Sequence, residues 1–219
     1  MSKPVPTENP AVSIPSVSGL IYTPIFVNTT LLGAIGGYYN SVYGIVTTIA
    51  PIKQAYVNLG VYDGNVARGV QTGLTGPHFN GYYFSIAEAG YGWTTDKPGV
   101  AAIGGWYQSG LLKSGTQKED GTGGIYSFAS RALWIKESVG ANKGNISGFL
   151  QFGWNNSVTL PMNLFGGMGL TAFALINKRP NDSFGIGASW SRLNPYIFSR
   201  YSELMFQGYY QAQVYKSIY

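Results

Sequence analysis

The chain has 219 residues, including 31 glycines, 17 tyrosines and 11 phenylalanines, and only 11% of its residues are charged. A soluble domain carries roughly 25% charged residues, so this composition argues against an ordinary water-facing surface. The net charge of +5 comes from scattered basic residues, which excludes a nucleic-acid-binding stripe. Cysteine is absent, which excludes disulfides, thiolate metal ligands and a cysteine nucleophile.

The first 40 residues are rich in proline and glycine, and we predict an irregular segment over 1–40 followed by strands over 41–219. The opening MSKPVPTENP has no apolar core, so we expect no export signal in the sequence as it stands. Two long stretches, 9–52 and 144–177, hold no charged residue. Prolines interrupt the first and glycines loosen the second, so neither is predicted to be a membrane-spanning helix.

Period-two alternation predicts about nine strands and an all-β fold, with most charges in the connections. The predicted strands span 42–50, 53–63, 81–93, 99–109, 126–134, 146–155, 163–175, 183–192 and 203–214. The stretch KSGTQKEDGTGG (113–124) is one of the predicted connections. No helical period persists along the chain, which leaves strands as the predicted elements.

Each strand separates into two rows of different character. In SFGIGASWSR (183–192) the bulky row is Phe184, Ile186, Ala188 and Trp190, and the other row holds only serine and glycine. Three more predicted strands show such rows, and in each the bulky apolar row is given first. In 53–63 the rows are Ala55, Val57, Leu59 and Val61, and then Gln54, Tyr56, Asn58 and Gly60. In 126–134 they are Tyr126, Phe128, Ala132 and Trp134, and then Ser127, Ala129 and Arg131; in 203–214 they are Leu204, Phe206, Tyr210 and Val214, and then Glu203, Gln207, Gln211 and Gln213.

Two all-β architectures compete for this pattern. A soluble sandwich packs the apolar row against a second sheet and needs a strongly polar outer row. A transmembrane barrel turns the apolar row to lipid and the bare row to a water-filled lumen. Strands of 9 to 11 residues suit a membrane span, and we expect aromatic girdles from Tyr82 and Tyr83, Tyr91 and Trp93, Trp106 and Tyr107, and Tyr209 and Tyr210. The pattern therefore favours an antiparallel transmembrane β-barrel.

Four segments in sequence resemble the OprB-type carbohydrate-selective porins of Gram-negative outer membranes. They are NLGVYDGN (58–65), PGVAAIGGWYQSG (98–110), KRPNDSFGIGASWSR (178–192) and SELMFQGYYQAQV (202–214). The resemblance runs from about Gly19 onward. It implies a barrel of roughly sixteen strands that lets sugars diffuse through the outer membrane, in contact with its lipid, with no cofactor, no enzymatic reaction and no nucleic-acid partner.

The chain departs from this family at three points. It lacks the family's signal sequence with its earlier strands, and it lacks the closing segment, so we expect a piece of a barrel with about nine strands. It also carries Gln207 where the family has a second glutamate. Association of barrels into a homo-oligomer stays open at this point.

Hydrogen-bonding side chains on the polar rows are the predicted lumen lining, because a sugar exchanges hydrogen bonds with such groups and conduction requires each contact to be weak. These candidates are Glu88, Arg131, Gln151, Glu203, Gln207 and Gln211. Pairing of Arg131 with the two glutamates to stiffen the wall is an equal alternative. Arg179 and Asp182 are interpreted as a structural turn motif with a salt link.

Other function classes have weaker support. His78 is the only histidine and lies in a turn-like stretch, so neither a catalytic nor a metal site is predicted around it. Glu88 and Glu203 could be the paired carboxylates of a glycosidase-like domain. The main alternative to a porin is a soluble secreted β-sandwich that binds polysaccharide through aromatic side chains.

Overall fold

The computed structural model describes residues 42–68, 70, 76–136, 144–176, 179 and 181–212. The predicted irregular segment and the last residues of the ninth predicted strand lie outside the described residues. The strands are β1 (Gly44–Ile52), β2 (Ala55–Asp63), β3 (Tyr83–Trp93), β4 (Gly99–Ser114), β5 (Gln117–Ile135), β6 (Asn145–Asn155), β7 (Met162–Phe173), β8 (Ser183–Leu193) and β9 (Ser202–Gln211). One short 3₁₀ turn, Gly64–Arg68, follows β2.

All nine strands belong to one sheet, in chain order from β1 to β9. Each neighbouring pair is antiparallel. The predicted all-β class and the nine predicted strands are confirmed, and the sheet is open between β1 and β9 in the part of the chain that the structure describes. A sandwich needs two sheets, so that alternative is wrong for these residues. The described segments include no helix with the length and hydropathy to cross a bilayer.

The predicted connection 113–124 is instead the tip of a long hairpin. β4 has 16 residues and β5 has 19, and they are joined by a tight turn at Gly115, whose φ is +58°. Leu112 is buried opposite Glu119, while Lys113 and Lys118 are exposed opposite each other. Strand pairing therefore continues through a charged stretch, because antiparallel strands that extend beyond an apolar zone carry polar side chains in water.

The two faces of the sheet differ in burial. On β8, Ser183, Gly185, Ser189 and Ser191 are buried, whereas Phe184, Ile186 and Trp190 are exposed. Register pairing extends these two rows across the sheet. We call the buried side the inner face and the exposed side the outer face. A curved sheet has this asymmetry, because side chains crowd on its concave side and spread on its convex side.

The outer face carries an aliphatic band between two groups of aromatic residues. Tyr83, Tyr107, Trp154 and Trp190 lie toward the end of the sheet with the connection 64–82, the long-loop end. Tyr91, Trp134, Phe184 and Tyr210 lie toward the other, short-turn end, where the connections include 53–54 and 94–98. Between them lie exposed aliphatic residues such as Ile103, Leu150, Met168 and Ile186. Aromatic rings flanking an apolar band suit the two interfaces of a bilayer.

Candidate pore-lining surface

The row assignment on β5 is wrong. Tyr126 and Phe128 are only 4% and 7% exposed and lie on the inner face. Ser127 and Ala129 belong to the outer row, opposite Ile103 and Ala101. The same correction applies to Trp106, which is buried on the inner face instead of joining an aromatic girdle.

Arg131 shares the outer row, a position that does not support the predicted pore-lining role of this residue. Its register partners are Gly99 and Gly148, and its side chain is exposed. It lies near the short-turn end, since Gly99 is the first residue of β4. A long cationic side chain at this position can extend to the interface while its methylene groups contact the apolar band. None of the ion pairs of the described residues involves Arg131.

An aromatic cluster fills the inner face of β2 to β5. It comprises Phe84, Ile86, Ala102, Trp106, Tyr126, Phe128 and Leu160, with Tyr56, Tyr62 and Val100 packed against them. The rings of Phe84 and Trp106 stack with centroids 6.0 Å apart. Half of the inner face is therefore closed by packed side chains, and these leave little polar surface for a solute.

Glu88 lies on the inner face at the margin of this cluster and is 2% exposed. The hydroxyl of Tyr56 donates to its Oε1 and the hydroxyl of Tyr126 to its Oε2, each at 2.8 Å. A buried carboxylate needs such donors because an unpaired charge away from water is costly. Glu88 thus stiffens the wall through tyrosines rather than through Arg131. Because Glu88 is buried, it is also poorly placed to act as one of the two carboxylates of a glycosidase.

Glycines on neighbouring strands make room for the two tyrosine rings. Gly90 lies opposite Tyr56, and Gly104 lies opposite Tyr126. A Cβ on Gly90 would lie 2.2 Å from Cζ of Tyr56, and a Cβ on Gly104 would lie 2.4 Å from Cζ of Tyr126. Both distances are far inside van der Waals contact. The absence of a side chain at these positions therefore lets the Tyr126 ring cross β4 and the Tyr56 ring lie on β3, so that both hydroxyls reach Glu88.

The connection 156–161 folds against the inner face, a contact that the sequence does not predict. Leu160 belongs to the aromatic cluster, so the segment lies over the inner side at the long-loop end. Glu119 on β5 accepts hydrogen bonds from the hydroxyls of Ser157 and Thr159. It also accepts from the backbone N–H groups of Val158 at 3.2 Å and Thr159 at 3.3 Å. We call residues 156–161 the inner segment.

Three asparagines complete the frame of the inner segment. Asn194, which is fully buried, donates to the carbonyls of Ser157 at 3.1 Å and Leu160 at 2.8 Å. Asn163 donates to Ser157 O at 2.8 Å, and Asn155 donates to Met162 O at 2.9 Å. Amide side chains replace the ladder hydrogen bonds that this irregular backbone lacks. The sequence signal was the density of asparagine and hydroxyl residues around 155–163.

The inner face of β6 to β9 is different, because it combines many glycine, serine and amide side chains with the buried rings of Phe149 and Phe165. Gln151 is 6% exposed and lies opposite Phe128 and Gly167. Glu203, Gln207 and Gln211 lie on the inner face of β9, opposite Ser191, Gly187 and Ser183 of β8. The structure thus brings these four predicted side chains to one half of the inner face. Their contact with a solute stays a prediction.

Arg179 and Asp182 are linked at the short-turn end. Arg179 Nε lies 2.6 Å from Asp182 Oδ2, and the Tyr210 hydroxyl donates to the same oxygen. The Asp182 N–H donates to Arg179 O at 3.3 Å, which closes the turn. The Asp182 side chain is buried, away from the polar inner row. This geometry supports the structural interpretation of the pair.

His78 lies in the 64–82 connection, where its backbone N–H donates to Asp63 Oδ2 at 2.6 Å. The backbone N–H of Asn65 donates to the other oxygen of the same carboxylate at 3.1 Å. Asp63 therefore anchors the start of this connection. Within the described ranges, no three His, Cys, Asp or Glu side chains converge as metal ligands.

The chain resembles known proteins both in its sequence family and in its fold. The model of a family described as carbohydrate-selective porin, OprB family, matches residues 24–218. The high-pH structure of Pseudomonas putida OprB is similar to the chain, with a TM-score of 0.62 and 14% sequence identity. The similarity covers 75% of this chain and 43% of that porin, so the chain spans less than half of its length. No curated protein matches the chain. The chain belongs to the OprB family of carbohydrate-selective porins.

Proposed function

We propose that the chain forms the wall of a porin in a Gram-negative outer membrane and that carbohydrates diffuse passively through its lumen. The observation that carries this proposal is the two-faced sheet, with exposed aliphatic residues between aromatic ends on one side and, on β6 to β9, many glycine, serine and amide side chains on the other. The first face suits lipid and the second suits water. The family to which the chain belongs supports the choice of solute.

The polar half of the inner face is the proposed path for sugars. Gln151, Gln207 and Gln211 each offer an amide donor and an amide acceptor, and Glu203 offers a carboxylate. A sugar can exchange hydrogen bonds from one such group to the next, and no single contact holds it. Arg131 is left out of this set because of its outer position. Transport by this path involves no chemical reaction and no cofactor.

Swelling of lipid vesicles tests the proposed transport. Vesicles that contain the full chain should swell in an isosmotic glucose solution, because entry of the sugar draws water after it. They should swell more slowly in a solution of a large oligosaccharide that the lumen excludes. Swelling in glucose no faster than that of lipid vesicles without protein would contradict the proposal.

The same proposal places the outer face in contact with lipid, and it therefore predicts the effect of replacing Arg131. Replacing Arg131 by leucine should change the free energy of unfolding in vesicles by no more than about 1 kcal/mol, since cations near the interface are tolerated on the lipid face. Unfolding in urea, followed by tryptophan fluorescence, gives this value. The reversal potential of the open channel in a salt gradient should not move, because the charge lies outside the lumen.

Glu203→Gln is the matched control for Arg131→Leu. It removes one charge from the inner face of β9 and should shift the reversal potential. A shift for Arg131→Leu as large as that for Glu203→Gln would place Arg131 in the lumen and contradict its assignment to lipid.

A further inference from the structure

Arg131 lies on the outer face between two glycines, near the short-turn end of the sheet. Its register partners are Gly99 of β4 and Gly148 of β6, which have no side chains. A Cβ added at Gly99 would lie 2.4 Å from Cζ2 of Trp93, so the indole ring lies over this glycine. A Cβ added at Gly148 would lie 3.1 Å from Cδ1 of Leu133. An aromatic ring and an aliphatic side chain therefore border the exposed arginine.

An open groove of about 730 Å³ lies on the outer face beside Arg131. Its floor consists of small side chains, and larger apolar side chains form its two sides. The floor residues are Ala101, Ser127 and Ala129, and the side residues are Tyr91 and Ile103, and then Leu150 and Phe152. Ala129 is the next outer residue of β5 before Arg131, so the groove begins at the arginine. It continues to Ser127, about 13 Å along the strand.

A second groove, of about 770 Å³, begins on the other side of Leu150. Leu133 and Gly148 line its near end, and Met168 is one of the residues farther along it. Because Gly148 lies directly opposite Arg131, both grooves start beside the same cation. A phospholipid has one charged headgroup and two acyl chains. The outer face thus offers a cation to the headgroup and an apolar groove to each chain.

Charge distinguishes the two ends of the sheet. Among the described residues, the short-turn end has the Arg179–Asp182 pair, four further basic residues and one further acidic residue: Lys53, Lys97, Arg131 and Lys136, and Asp96. The long-loop end is nearly balanced, with five basic and four acidic residues: Arg68, Lys113, Lys118, Arg192 and Arg200, and Asp63, Glu119, Asp120 and Glu203. Short turns of bacterial outer-membrane barrels face the periplasm. The positive end therefore suits anionic headgroups in the periplasmic leaflet.

We propose that Arg131 and the two grooves beside it form a site for one anionic phospholipid of the periplasmic leaflet. The inference rests on the lipid contact in the proposed function, and it adds a place on the wall and the charge of the lipid. The guanidinium of Arg131 binds the headgroup phosphate, a pairing that is often bidentate. None of the ion pairs of the described residues occupies this guanidinium.

Trp93 and Lys97 support the headgroup end of the site. The indole Nε1 of Trp93 donates to the carbonyl of Lys97 at 3.2 Å, which holds the ring against the 94–98 turn. Indole rings are favoured at the level of lipid headgroups. Lys97 is exposed in the same turn and adds a second positive charge near the phosphate. Asp96 beside it is also exposed and offsets part of this charge.

Competition between two phospholipids tests the site. The full chain in detergent is mixed with equal amounts of phosphatidylglycerol, which is anionic, and phosphatidylcholine, which is zwitterionic and has the same acyl chains. Native mass spectrometry then counts the lipid that each chain retains. The parent chain should retain phosphatidylglycerol in preference by about fivefold, and Arg131→Leu should lose this preference. Retention of phosphatidylcholine should not change in the variant, which shows that the outer face is intact.

Arg192→Leu is the matched control, since Arg192 is also exposed on the outer face but lies at the long-loop end. It should keep the preference for phosphatidylglycerol. An unchanged preference in Arg131→Leu would overturn the proposal, and so would an equal loss in the two variants, because the effect would then follow net charge alone. A tenfold excess of inorganic phosphate should not displace the lipid. Displacement would indicate a site for a free anion and would also overturn the proposal.

The grooves are tested with Arg131 in place. Ala129→Leu fills the floor of the first groove and should reduce retention of phosphatidylglycerol. Ala87→Leu makes the same change on the outer face of β3, outside both grooves, and should leave retention unchanged. Equal retention by the two alanine variants would contradict the role of the groove. The urea midpoint of each variant should match that of the parent chain, because both leucines are exposed on the apolar face.

Vesicle swelling separates this inference from the proposed function. If the parent chain passes glucose but retains the two lipids equally, the lipid site is wrong and the transport function stands. If it retains phosphatidylglycerol in preference but passes no glucose, the lipid site is supported and the transport function is wrong. If it neither prefers this lipid nor passes glucose, both proposals are wrong.

Discussion

Gly104→Ala should lower the free energy of unfolding by about 3–5 kcal/mol. The added Cβ would lie 2.4 Å from Cζ of Tyr126, and the ring must move. Overpacking of this kind costs about 1–3 kcal/mol. Displacement of the Tyr126 hydroxyl also breaks its hydrogen bond to the Glu88 carboxylate, and bonds to charged groups contribute about 1.5–3 kcal/mol. Urea unfolding of the full chain in vesicles measures the change.

Gly105→Ala is the control, because Gly105 is the next residue but lies on the outer face. Its added Cβ would meet no atom closer than Gly124 O at 3.5 Å, an ordinary contact. A change within about 1 kcal/mol is expected there, since surface substitutions without a special contact have small effects. Equal losses in the two variants would show that Tyr126 does not lie over Gly104.

Glu119→Ala should release the inner segment and raise the single-channel conductance. Glu119 accepts hydrogen bonds from two hydroxyls and two backbone N–H groups of residues 157–159. Without this acceptor, the backbone N–H of Val158 loses its partner and turns toward water, and the N–H of Thr159 keeps only the Ser157 hydroxyl oxygen at 3.1 Å. Amide hydrogen exchange in 156–161 should become faster by tenfold or more, and channel recordings should show a larger and noisier current.

Asp120→Ala removes the neighbouring carboxylate, which is exposed, and should alter neither exchange nor conductance. If Glu119→Ala leaves conductance unchanged while exchange in 156–161 increases, the inner segment does not narrow the path. If exchange is also unchanged, the asparagine frame alone holds the segment.

Strand positions could be predicted because alternation is a local property of the chain. The nine strands appear where the sequence alternates, and on β8 the inner row follows directly from its lack of side chains. When one row holds serine and glycine and the other holds bulky apolar residues, only the bulky row suits contact with lipid. The same logic identified the inner row of β9.

The inner and outer rows of β5 were predicted the wrong way round, because the residues of each row are compatible both with lipid and with the inner face of the sheet. Small residues such as Ser127 and Ala129 are tolerated against lipid, and aromatic residues such as Tyr126 can line the inner face where a neighbouring strand supplies glycine. The strand that supplies this glycine is set by the register between strands. The register in turn depends on pairing between segments that are separated in the chain. Arg131 was misassigned for this reason, as it followed the row of Ser127.

The inner segment and the β4–β5 hairpin could not be predicted for a related reason. Charge and turn residues in 113–124 indicated a connection, yet the two arms pair with each other beyond the apolar band. The capture of 156–161 by Glu119 joins residues about 40 positions apart in the chain. Neither contact produces a period-two pattern in the residues that form it, so the sequence of 113–124 or 156–161 does not indicate it.

The division of the inner face into an aromatic half and a polar half has a consequence for ions. Beside the β2–β5 wall an ion finds hydrocarbon in place of water, and the inner face of β6 to β9 supplies amide dipoles and a single carboxylate, that of Glu203. Partial dehydration is expensive for an ion and mild for an uncharged polyol. The electrical conductance of such a channel should therefore be small relative to the rate at which it passes neutral solutes.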